Sequence, residues 1–170
     1  TNASVVTGTV GQNDLVVNFT SSSGSGLLNA DPSGQATVSG GTGNVALTQL
    51  TFELANNDTF TRAVFNINAG TDGSVVIHVE GINIDGGFFE DDFTVDANGQ
   101  NFFTVTAING QLMTSISLTA IQGAVFEDVR QVRLGGGEIV EPVPEPASML
   151  LLGSGLVGLA AGVRRRLRKK

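Results

Sequence analysis

Asn101-Phe102-Phe103-Thr104-Val105-Thr106-Ala107-Ile108 leads into Asn109-Gly110, and Gln111-Leu112-Met113-Thr114-Ser115-Ile116-Ser117-Leu118-Thr119 leads out of it. Apolar and polar residues alternate on both sides of a dipeptide that tolerates positive φ at two successive positions, which is the pattern of antiparallel strands. A two-residue loop at Asn109-Gly110 sets Phe103 opposite Ile116 and Ala107 opposite Leu112, so that the apolar residues share one face. The same test gives a different answer for Asn98-Gly99. A two-residue loop there puts Phe103 opposite Thr94 and turns Phe93 and Val95 to the wrong side, whereas a three-residue loop, Ala97-Asn98-Gly99, pairs Phe93 with Phe103. The expectation is a meander from Phe93 to Thr119 with two unlike hairpins.

Outward from this stretch the same period of two continues, and no helical period lasts beyond two turns. Strands are expected at Ser4–Val10, Leu15–Thr20, Gln35–Ser39, Val45–Ala55, Arg62–Ala69, Ser74–Ile84, Phe93–Asp96, Asn101–Ile108, Leu112–Thr119 and Ala124–Leu134. In Val45–Ala55, Leu50, Phe52 and Leu54 point one way and Gln49, Thr51 and Glu53 the other, as in a sheet with one wet face. Asp72-Gly73 is expected to turn a hairpin, and Ser21–Gly26 and Ser39–Gly43 to be loops. The fold class is therefore all-β, an antiparallel β-sandwich or jelly-roll-like domain over 1–134. The last strand is less regular: Val129, Gln131 and Arg133 share one face and Arg130, Val132 and Leu134 the other, so each face mixes an arginine with valine or leucine. One arginine is expected to lie along the sheet with its head on Glu127 or Asp128.

Composition narrows the chemistry. Sixteen acids against three arginines precede Pro146, a balance of −13, so binding of nucleic acid or anionic lipid by charge is not expected. There is no cysteine, tyrosine or tryptophan and one histidine, which leaves few ways to build a triad, a zinc site or a sugar-stacking platform. The histidine, His78, falls on the polar side of a strand beside Glu80. No enzyme activity and no resident cofactor are expected, although two carboxylates suffice for a glycan hydrolase. One cluster has the right atoms for a metal. Asn83 and Asp85 lie on one side of a strand end, Gly86-Gly87 lets the chain fold back, and Glu90, Asp91 and Asp92 bring three more carboxylates, an oxygen set that suits calcium.

Residues 135–143 shift to glycine, glutamate, valine and proline and read as a linker. Beyond it Pro144-Glu145-Pro146 precedes an uncharged apolar run, 147–163, and then Arg164, Arg165, Arg166, Leu167, Arg168, Lys169 and Lys170. Seventeen residues at ~1.5 Å each give roughly 25 Å of helix, just enough to cross a bilayer core with basic side chains snorkelling. The six basic residues behind it hold that end in the cytoplasm and place everything before Pro144 outside. The lack of a charged-then-apolar segment at the start of the chain is read as an export signal removed or left out. Gly153-Ser154-Gly155-Leu156-Val157-Gly158 spells a dinucleotide fingerprint but lies inside the apolar run, with no strand before it.

This order of Pro-Glu-Pro, short glycine-rich apolar helix and terminal arginine cluster, over 144–170, resembles the PEP-CTERM sorting signal of Gram-negative bacteria. The stretch from Asn101 to Ala107, with Asp128–Gly136 after it, also resembles a phrase common before such tails. The resemblance implies export, recognition of the tail by exosortase, cleavage near Pro144–Pro146, transient anchoring in the inner membrane, and delivery to the cell envelope or the extracellular space. A structural or adhesive role linked to exopolysaccharide is the expected function, with a carbohydrate-binding module or weak glycan hydrolase as the alternative.

Overall fold

The structure, a computed structural model, describes residues 2–10, 15–31, 37–41, 45–97 and 99–136. Its strands are β1 (Asn2–Ala3), β2 (Val5–Val10), β3 (Leu15–Thr20), β4 (Leu28–Asp31), β5 (Thr37–Gly40), β6 (Gln49–Leu54), β7 (Arg62–Thr71), β8 (Gly73–Ile82), β9 (Phe88–Val95), β10 (Asn101–Thr106), β11 (Leu112–Ile121) and β12 (Val125–Gly135). One antiparallel sheet runs β1-β4-β5-β12-β7-β10 and the other β2-β3-β6-β11-β8-β9. From β5 onward the pairing is nested: β8 lies beside β9, β7 beside β10, β6 beside β11 and β5 beside β12. That is one long antiparallel ribbon wound across two sheets, the winding of a jelly roll. The first four strands form a smaller ribbon of the same kind, β2 with β3 and β1 with β4, and extend both sheets on one side.

A ribbon that passes from sheet to sheet leaves backbone polar groups at its corners, and these must be paired if buried. Here the two chains at each corner pair with one another. Leu47 and Phe126 exchange both backbone bonds at 2.8 Å, and Phe60 and Met113 do so at 2.9 and 2.8 Å. Both phenylalanines are fully buried. At the third corner the Asp72 carboxylate accepts the Ala97 N–H at 2.7 Å. Between the sheets lies a single cluster of buried apolar residues, threaded by rings in contact. Phe19, Phe52, Phe65, Phe103 and Phe93 follow one another with centroids 6.1, 5.5, 5.6 and 5.6 Å apart.

The sandwich and its alternating strands agree with the sequence reading, but the meander does not form. β10 and β11 belong to different sheets, so Phe103 lies opposite Phe65 and Ile116 opposite Phe52 and Val79. The Asn109-Gly110 turn itself is as expected, with φ of 54° and 77° and a Gln111 N–H to Ile108 C=O bond of 3.0 Å. Its flanks then diverge, because each finds a longer apolar partner in another strand. Phe93 and Phe103 do meet, edge to face across the sandwich and not along a ladder. Asp72-Gly73 likewise passes between sheets. Asn98 lies outside the described residues. Two strands, Asn2–Ala3 and Leu28–Asp31, were not expected; at two and four residues both are too short to show an alternating pattern. Val45–Ala55 shortens to Gln49–Leu54 because the chain before it is the corner at Leu47. Phe93–Asp96 lengthens back to Phe88, through an acidic stretch that carries no strand pattern.

The irregular last strand is explained by bulges. From Arg130 to Arg133 the partner strand β7 advances only from Asn66 to Val64, and the extra residue is taken up at Gln131, whose φ is 55°. Phe126, Val129 and Leu134 are thereby all buried, while Arg130 and Arg133 share the outer face. Each face no longer mixes an arginine with the core. Arg130 is the paired one: its Nη2 donates to Asp128 Oδ2 at 2.8 Å and its Nε to Oδ1. This bonding holds the guanidinium pKa above its ordinary value, against the opposing effect of burial.

Two stability measurements follow. Valine is the better strand former, yet at φ 55° a β-branched residue is strained; Gln131→Val is expected to cost about 1–2 kcal/mol more than Gln131→Gly in urea unfolding. Arg130→Ala removes a charge-assisted pair from Asp128, whose side chain is 15% exposed, and is expected to cost about 1 kcal/mol after discounting for solvent. Arg133→Ala is expected to change stability by less than ~0.5 kcal/mol.

Candidate functional site

Three surfaces carry groups that can act. The first is the β8–β9 hairpin, where the calcium ligands were expected. Its register sets Glu80 opposite Phe88, His78 opposite Glu90 and Val76 opposite Asp92. His78 Nδ1 is 2.8 Å from Glu90 Oε2, its Nε2 is 3.8 Å from Glu80 Oε1, and its ring stacks on Phe88 with centroids 4.9 Å apart. Glu90 is thus engaged by His78. Strand alternation puts Glu90 and Asp92 on one face and Asp91 on the other, and an Asp91 carboxylate oxygen accepts the Asp92 N–H at 2.9 Å. Asn83, at φ 60°, donates its side-chain N–H to the Gly110 carbonyl at 3.1 Å, while Asp85 opens the turn at the tip. Spacing in the sequence suggested one cage, but the hairpin distributes the five side chains over a tip and two faces. Among the described residues no group of three or more histidine, aspartate or glutamate side chains is gathered that could hold a metal.

The second surface is a groove. β9 ends one sheet and β10 the other, so the sandwich is open between them, leaving a space of about 520 Å³. Ile77, Val79, Phe103 and Met113 line its inner side, and Phe89, Phe93, Ile84 and Ile108 its mouth. Sequence reading missed it, because Phe88-Phe89 stood outside any expected strand. Two consecutive phenylalanines beside three acids do not alternate as a strand with one wet face does, so the sequence carried no period of two there.

The third is a polar depression of about 380 Å³ on the outer face of the other sheet, formed by Asn29 and Asp31 of β4, Thr37 and Ser39 of β5, and Glu127 and Asp128 of β12. Asn68 of β7 closes one side, donating to Glu127 Oε2 and Asp128 Oδ2, both at 3.0 Å. A third of this surface, Asn29 and Asp31, was invisible in sequence because β4 was. The sorting residues Pro144, Glu145 and Pro146, the apolar run 147–163 and the basic Arg164, Arg165, Arg166, Arg168, Lys169 and Lys170 lie outside the described residues. Among those that are described, no helix is long and apolar enough to cross a membrane.

From the hairpin geometry, calcium at about 5 mM, above the 10⁻⁴–10⁻³ M range of extracellular calcium modules, is expected to leave the unfolding midpoint unchanged, and Asp91→Asn to behave like the parent. A rise with calcium but not with magnesium would show instead that the hairpin rearranges around the ion.

Comparison with known proteins agrees with the tail. No curated protein and no solved structure matches the chain, whereas residues 142–166 match the family model of the PEP-CTERM protein-sorting motif. The match takes in Pro144-Glu145-Pro146, the apolar run and the first three arginines of the tail. The chain therefore carries a PEP-CTERM protein-sorting motif at its C-terminal end, a motif that implies export with exosortase as the processing partner.

Proposed function

We propose that the β domain is a structural and adhesive module of the cell surface or extracellular matrix, which holds exopolysaccharide in the polar depression between β4, β5 and β12. The observation that carries this reading is the composition of that depression: amide, hydroxyl and carboxylate groups on three neighbouring strands offer closely spaced acceptors and donors to a hydroxyl-rich polymer. No aromatic platform accompanies them. Each hydrogen bond exchanged against water is worth only about 0.5–1.5 kcal/mol, so single contacts are weak, and many copies along one polymer supply the strength. That favours adhesion over tight binding of a short sugar. In this reading the apolar run 147–163 spans the inner membrane transiently, the basic residues 164–170 stay in the cytoplasm, and Pro144-Glu145-Pro146 is presented to exosortase at the outer surface.

Both halves are testable. In an exosortase-bearing host, mass spectrometry of the released protein is expected to find a chain lacking 147–170, and alanines in place of Pro144-Glu145-Pro146 to leave a full-length, membrane-bound protein; an intact Lys170 terminus in the released fraction would sink the processing scheme. The released protein is expected to co-sediment with the host's exopolysaccharide, and Asn68→Ala combined with Asp31→Asn to reduce the bound fraction severalfold. Release of reducing ends by the purified protein would favour the glycan hydrolase alternative.

A further inference from the structure

Ile82, Phe88, Phe89 and Ile108 are 48, 51, 49 and 61% exposed, and all four stand at one end of the sandwich. Ile82 and the two phenylalanines flank the β8–β9 turn, and Ile108 lies in the connection from β10 to β11, which the Asn83 side chain ties to that turn at 3.1 Å. The described chain ends there too. The Gly135 carbonyl accepts the Thr61 N–H at 3.1 Å, and the Thr61 carbonyl accepts the N–H of Ala107, next to Ile108, at 2.8 Å. Ten residues, 137–146, lie between this exit and the apolar run that begins at Ala147; fully extended they reach about 35 Å.

We propose that this end of the domain is a membrane-resting face: Ile82, Phe88, Phe89 and Ile108 lie in the interfacial layer of a zwitterionic lipid surface while the chain is still anchored. The proposal rests on the reading of 147–163 as a membrane span. A short tether attached at the apolar end keeps that end near the bilayer, so a contact too weak to recruit a free domain is occupied when anchored. Side chains of this size sink ~5–10 Å into the headgroup boundary. Charge selects the lipid. Asp85 sits at the tip and Glu90, Asp91 and Asp92 follow along β9, which disfavours anionic headgroups and equally disfavours a second copy of a chain whose residues before Pro146 carry a −13 balance. Cleavage of the tail removes the tether, and the weak contact alone then releases the domain.

The chain has no tryptophan, so single tryptophans report directly. Phe88→Trp, Ile108→Trp and, at the opposite end, Val45→Trp are made in the full chain and reconstituted into phosphatidylethanolamine–phosphatidylcholine nanodiscs with brominated acyl chains. Trp fluorescence at positions 88 and 108 is expected to be blue-shifted and quenched about twofold or more relative to position 45, with less quenching in discs rich in anionic lipid. Equal quenching at all three positions, or none, in chains that stay with the discs would overturn the resting face alone. A blue shift that grows with protein concentration and shows no bromine quenching would assign the face to a second copy and overturn it too. Chains that fail to associate with the discs would refute the spanning reading, and the proposal with it.

Discussion

The structure depends on how its ribbon turns corners. Eight of the strands, β5 to β12, are laid down as four nested antiparallel pairs, so each passage between sheets carries two segments of chain together. A lone crossover would leave unpaired N–H and C=O groups at the edge of the core, at about 1–3 kcal/mol for each buried group left unmade. The paired bonds of Leu47 with Phe126 and of Phe60 with Met113 remove that cost while placing two fully buried rings at the corners. Because the bonds at each corner join segments far apart in sequence, no corner is stable before its partner segment arrives, and the nested order, starting from the β8–β9 hairpin, accounts for how distant segments are brought together.

Once the ribbon is wound, small adjustments decide which side chains face out. The bulge at Gln131 and the register shifts earlier in β12 let Phe126, Val129 and Leu134 all reach the core from one strand. The same shifts put Asp128 and Arg130 together on the outer face, next to Asn68, and so build one wall of the polar depression. Gly81 shows how closely the backbones approach near the apolar tip: a Cβ there would lie 2.1 Å from the Leu112 carbonyl oxygen, a position only glycine can occupy.

The surface is divided accordingly. One sheet turns amides, hydroxyls and carboxylates to solvent, the open side between β9 and β10 shows phenylalanine, and the end that leads to the tail carries the most exposed isoleucines. His78, the single histidine, stacks on Phe88 and pairs with Glu90. The sorting motif at residues 142–166, by contrast, is recognisable in the sequence alone: a proline-bounded acid, an apolar length and the first arginines of a basic run.

What the sequence by itself determined is what depends on neighbours along the chain. The period of two in Leu50, Phe52 and Leu54, the positive φ at Asn109-Gly110 and the order of Pro-Glu-Pro, apolar run and arginines are local properties, and they yielded strands, a turn and a sorting tail. Tertiary structure alone decided the partners. Asn109-Gly110 has the geometry of a hairpin turn and still joins two sheets, since a turn governs four residues whereas pairing is won by the apolar area each strand buries over its whole length. Asn83, Asp85, Glu90, Asp91 and Asp92 are close in sequence yet divided by strand alternation and by competing bonds to Gly110 and His78. Asn29 and Asp128 are far apart in sequence and face the same depression, because burying the core side of β4, β5 and β12 leaves their polar sides no other place to meet.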